Sequence, residues 1–178
     1  MSLRYKFKKA NRIIEKLAPA DLLAARTIAA EIQKAQDALL QKADGHFNRC
    51  VSICKGLCCQ NIQIDQIIGL WDFVYVLLAD RSAAGLIQSC LNKENRLFTA
   101  DCIFLEDGKG PCLFAFNVRP EVCITTFCTS VKPVDKEIRT VKRKFVKLYL
   151  YILFARVRAM VNIILKPLIK RESKQKSG

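Results

Sequence analysis

Residues 19–44 read PADLLAARTIAAEIQKAQDALLQKAD, and this stretch decides the class of fold. Pro19 suits the first turn of a helix, where its missing N–H is not needed, and Asp21 supplies the negative charge a helix start favours. Leu22, Leu23, Ile28, Ile32, Ala35, Leu39 and Leu40 recur at helical spacing, with Glu31, Lys34, Asp37 and Lys42 on the other side. The pattern predicts a long amphipathic helix that stops near Asp44-Gly45, where the glycine is a natural terminator.

Outward from this element the chain keeps reading as helix. Residues 2–17 fit a short basic helix. From Ile64 to Ala79 apolar residues are dense, with Asp65 and Asp72 the only charges, which fits a buried helix at this length. A shorter helix is expected from Ser82 to Leu91. Residues 99–133 hold Gly108, Gly110, Pro111, Pro120 and Pro133 and read as irregular loops. Val134 to Lys170 is a long helical pattern with Pro167 near its end. The expected fold is therefore mainly α. A single domain spans 1–178, with N-terminal helices over 1–49, a cysteine-cluster region over 50–133 and a long basic C-terminal helix over 134–171.

The last helix raises the question of a membrane. Phe145 to Ile169 is rich in leucine, isoleucine, valine and aromatics, but Lys147, Arg156, Arg158 and Lys166 interrupt it. No uncharged run exceeds eight residues, where a span needs about 20. It is not a transmembrane helix. A basic, apolar helix of this kind can lie on a membrane surface. The favoured arrangement is a core helix packed on the 19–44 helix with its lysines exposed.

Hydrophobic residues make up 51% of the 178, enough for a core that needs no disulfide framework. The formal charge of +14 is segregated. Residues 1–16 carry six positive and one negative charge, and residues 132–178 carry fourteen and three, for nets of +5 and +11. The stretch between is slightly acidic, at −2. Basic ends invite an anionic partner, whether nucleic acid, a lipid surface or an acidic protein; solvated helix faces are the plainer explanation. Residues 1–16 lack the apolar core and cleavage site of a secretory signal, so the expected setting is the reducing cytoplasm.

Nine cysteines in a reducing compartment point to metal rather than to bridges. Eight fall into two groups of four: Cys50, Cys54, Cys58 and Cys59, then Cys102, Cys112, Cys123 and Cys128. Thiolates are soft ligands, suited to zinc or an iron–sulfur cluster and not to magnesium or calcium. A spacing of four puts Cys50, Cys54 and Cys58 on one helix face, and Gly56 lets the chain leave that helix and swing Cys58 or Cys59 inward. Cys90, between Ser89 and Leu91, reads as a buried apolar filler. His46, the single histidine, precedes Cys50 by four residues and is either a ligand or an exposed residue near a helix end. Arg119 is a candidate to donate hydrogen bonds to cysteine sulfurs or backbone carbonyls around the centre. Phe98, Phe104, Phe114, Phe116 and Phe127 would shield it from water. Asp101, Glu106 and Asp107 are explained by loop solvation.

Other chemistries are excluded by what is missing. The second gap of the first cysteine group is three, not the two of radical enzymes that use S-adenosylmethionine. There are no repeated C-x2-C pairs, no C-x-x-C-H, no Gly-rich phosphate cradle, no G-x-S-x-G and no H-E-x-x-H. One histidine leaves little material for a hydrolytic triad.

The first cluster, then Asp101-Cys102-Ile103-Phe104-Leu105, Gly110-Pro111-Cys112, Arg119-Pro120-Glu121-Val122-Cys123 and Cys128, resembles the YkgJ-type cysteine-cluster family, the zinc- or iron-chelating CxxCxxCC domain. That family shows a compact C…C…CC cluster, a later C-P-F-L followed by G-x-C, then R-P-x-x-C and a last cysteine. The likeness covers roughly residues 50–128 in the right order. Ile103 replaces the usual proline and Ile124 stands where an arginine often follows, which changes loop geometry and leaves the thiols in place. The resemblance implies a centre held by the eight cysteines, with iron–sulfur (4Fe-4S) slightly favoured over zinc. The first functional reading is a redox, maturation or accessory module working with a protein partner. An alternative is a zinc-stapled basic helical protein that binds nucleic acid or an anionic membrane. A second alternative is a cluster-dependent protein-modifying enzyme, since similar clusters occur in flagellin lysine methylases.

Overall fold

The computed structural model describes residues 1–52, 59, 62–93, 102–106, 111–126 and 134–175, with side chains excepted at 44, 46–52 and 163–175. The described residues are mostly helical and contain no strand beyond one isolated bridge. Helix α1 spans Leu3–Glu15, capped by Ser2, whose hydroxyl accepts the Tyr5 N–H. Its buried stripe is Leu3, Lys6, Phe7, Ala10 and Ile13, at the spacing an amphipathic helix requires.

Helix α2 spans Pro19–Ser52. It runs straight through Gly45, so the expected stop there is a misreading. Glycine ends a helix when it adopts the left-handed conformation, and Gly45 keeps ordinary helical backbone. The apolar face is largely as read, with Ile28, Ile32, Ala35 and Leu39 buried, but Leu23 is 69% exposed. Adjacent residues point about 100° apart on a helix, and Leu22 takes the inward direction.

The dense apolar stretch from Ile64 to Ala79 is two helices, not one. Helix α3 (Ile64–Ile67) ends at Ile68, whose extended backbone leads through Gly69 into α4 (Leu70–Ala79). Asp72 explains the restart: its carboxylate accepts the Gly69 N–H at 2.8 Å and so caps α4. Phe73 through Leu78 are all buried, as expected of this stretch. Helix α5 spans Ala83–Lys93. After it come the cysteine loops, a 3-10 turn at Phe116–Val118, the short α6 (Glu121–Thr125) and the long α7 (Asp135–Gln175).

Two pairings organise these elements. Helix α7 packs along α2, and α1 packs on α4. Ion pairs Lys42–Glu137, Lys144 and Lys147 with Glu31, and Arg158–Asp21 run the length of the α2–α7 seam. Their order shows that the two helices are antiparallel. Between Glu137 and Arg158 the packing of the C-terminal helix on the 19–44 helix is thus as the apolar pattern suggested, while the side chains from 163 on lie outside the described set. The main core joins α1, α4, α5, the first half of α2 and the cysteine loops; a smaller one holds Ala35, Leu39, Ala43, Ile124, Val134 and Val141. Among the described residues, no helix is long and apolar enough to cross a membrane.

Candidate metal centre

Four of the eight candidate thiols lie among the described residues: Cys59, Cys102, Cys112 and Cys123. Cys50 sits in the last turn of α2 with its side chain outside the described set, as is that of His46. Cys54, Cys58 and Cys128 lie outside the described residues, as do Phe98 and Phe127.

Backbone hydrogen bonds tie the two cysteine groups together. The Cys102 N–H donates to the Cys59 carbonyl at 2.7 Å, so the end of the first group is fastened to the start of the second. Leu105 N–H then returns to the Cys102 carbonyl at 3.1 Å, closing a turn. Leu105 and Cys112 then pair as a one-rung antiparallel bridge. Its bonds run from Leu113 N–H to Phe104 carbonyl at 2.8 Å and from Glu106 N–H to Pro111 carbonyl at 3.1 Å. Cys112 is thereby held beside the Cys102 turn.

Cys123 arrives from the other side. Pro120 precedes the first residue of α6, and the Glu121 N–H, which has no intrahelical acceptor, donates to Asp72 Oδ1 at 3.0 Å. One half-buried carboxylate therefore caps α4 and anchors the helix that carries Cys123. Beneath the loops, Phe104 and Phe114 pack at 4.8 Å between ring centroids, and Phe73 meets Phe104 edge-on at 6.4 Å. Phe104 and Phe114 are buried in the core, while Phe116 keeps 37% of its surface exposed.

Burial and mutual repulsion set the electrostatics. Burial pushes the Cys102 thiol up to about 12, with Cys112, Cys59 and Cys90 adding to the rise. Cys123 is raised well above an ordinary thiol, first by burial and then by Cys112, Cys102, Asp72 and Cys59. Thiols from both sequence groups thus sense one another. Cys90 belongs to this neighbourhood too: it is buried in α5, and burial and Cys112 raise it. Its burial was legible in the sequence and its proximity to Cys102 and Cys112 was not, since it stands apart from both groups. Asp72 is the other participant the sequence did not single out; a lone carboxylate in an apolar helix was the available signal.

Arg119 meets one of the two kinds of contact expected of it. Its guanidinium lies over the Phe116 ring at 3.8 Å, and Nε makes a long hydrogen bond of 3.4 Å to the Phe114 carbonyl. Its own carbonyl accepts from Gln36 Nε2 at 2.9 Å, which ties the loop to α2. Among the described residues, no three of His, Cys, Asp and Glu are close enough together to hold a metal ion. The donor chemistry suits zinc or iron–sulfur, and a complete set would have to draw on cysteines outside the described residues. No protein-family model matches this chain, and no curated protein or solved structure matches it either.

Proposed function

We propose that the chain is a cysteine-cluster metal protein, binding zinc or, slightly favoured, a 4Fe-4S cluster, and that it serves a protein partner as a redox, maturation or accessory module. The observation that carries this reading is the Cys102–Cys59 backbone hydrogen bond, which brings together two cysteine groups 43 positions apart in the chain. The motif order that resembles the YkgJ-type family supports the same reading, with Cys50, Cys54, Cys58, Cys59, Cys102, Cys112, Cys123 and Cys128 as ligands. Arg119 acts as a brace for the loop before Cys123. The absence of nucleotide, triad and histidine-metal motifs favours an accessory role over an independent enzyme.

The test is a visible absorption spectrum with metal and acid-labile sulfide analysis on protein purified without oxygen. A brown protein with iron and sulfide supports the cluster. A colourless protein with stoichiometric zinc supports the metal reading in its structural form. All nine thiols titrating as free in a folded, metal-free protein would overturn it.

A further inference from the structure

The described part of α7 is apolar on two opposite faces. Leu148, Ile152 and Ala155 are buried against the rest of the chain. Val146, Leu150, Phe154, Val157 and Val161 are exposed instead, and their steps of four, four, three and four residues keep them on one stripe. Phe154 is 65% exposed, and from Arg156 to Asn162 every side chain faces solvent. The helix therefore runs past the body that covers its inner face.

Cations border this stripe: Lys147 and Arg158 flank it on the side of α2, where Glu31 and Asp21 pair with them, and further cations have no such partner. Arg139 and Arg143 lie on the same face one to two turns earlier, and Arg156 lies along its edge; all three are exposed and have no acidic partner among the described residues. From Ile138 to Arg171 the sequence contains no acidic residue. We infer that the outer face of α7 docks on an anionic lipid bilayer. The helix lies in the plane of the surface, with the apolar stripe among the acyl chains and Arg143 and Arg156 at the headgroup phosphates. Nucleic acid would satisfy the arginines and leave Phe154 and its neighbours in water. A parallel pairing of two copies through this stripe would bring the same arginines together and repel. This inference does not depend on what the cysteines bind.

Flotation of the full-length protein with vesicles tests it, using phosphatidylcholine alone and an equal mixture of phosphatidylcholine and phosphatidylserine. Binding to the mixture and not to the neutral vesicles is expected. Affinity falls at least about tenfold in Phe154→Ser/Val157→Ser and in Arg143→Glu/Arg156→Glu. All four positions are exposed, so unchanged circular dichroism and melting verify that the variants fold. The inference is overturned by failure to bind either vesicle or by equal binding to both. Wild-type affinity in the serine variant overturns it, as does salt-sensitive binding to duplex DNA or RNA without vesicle binding. A stable dimer dissociated by the serine variant would give the stripe to a second copy and also overturn it.

Discussion

Lys6 lies on the buried face of α1 with 8% of its surface exposed, and its ammonium group donates to the carbonyls of Asp65 and Ile68. Those carbonyls end the four-residue α3, where no further helical N–H can reach them. Methionine matches the hydrocarbon stem but leaves both acceptors unpaired, so Lys6→Met lowers the unfolding free energy by about 2–4 kcal/mol, read from urea denaturation. Helical spacing sets Lys6 on the face of Leu3 and Ala10, away from the exposed Lys8 and Lys9, but the carbonyls that hold its ammonium there come from a distant part of the chain. Asp72 offers a test with pH. Burial raises its carboxyl above the ordinary 3.8, against the pull of its bonds from Gly69 and Glu121. The folded state then holds a proton more tightly than the unfolded chain, so the stabilising contribution is present below 3.8 and is lost as pH rises through the raised value. Asp72→Asn removes that dependence, and its stability relative to wild type improves from acid toward neutral pH, as paired denaturation curves will show.

Helix boundaries separate what periodicity can and cannot read. Long apolar stripes in α2 and α7 were legible, since burial along a helix imposes its own spacing. The end of α2 was not, because glycine stops a helix only when its backbone turns left-handed. The break at Ile68-Gly69 was missed for a related reason: it is made by one capping carboxylate inside a run of apolar residues. Gly45 now becomes a site for improvement. A Cβ there meets nothing within 4 Å among the described residues, so Gly45→Ala stabilises the protein by about 0.5–1 kcal/mol, visible as a higher melting temperature. Two leucines of α2 make a sharper comparison. Leu39 is fully buried where α2, α6 and α7 meet, so Leu39→Ala destabilises by about 2–5 kcal/mol. Leu23→Ala, on the outer side, stays within about 0.5 kcal/mol by the same urea midpoints.

Across the whole molecule, the loops gather residues that the sequence keeps apart. That eight cysteines form two groups is visible in the chain; that Cys59 is fastened to Cys102, with Cys90 close by, depends on how α4, α5 and α6 pack. Burial holds the Cys102 and Cys123 thiols protonated at neutral pH. On the proposed function, zinc uptake therefore releases protons, and affinity rises with pH, as titrations at two pH values will show. The α2–α7 seam carries a consequence in time. Its ion pairs join positions 95, 116 and 137 residues apart. At ribosomal rates, α2 emerges on the order of ten seconds before the helix that will cover it. Through that interval Leu39 lacks the Val134 and Val141 side chains that complete its core, and the apolar face it belongs to stays open on the nascent chain.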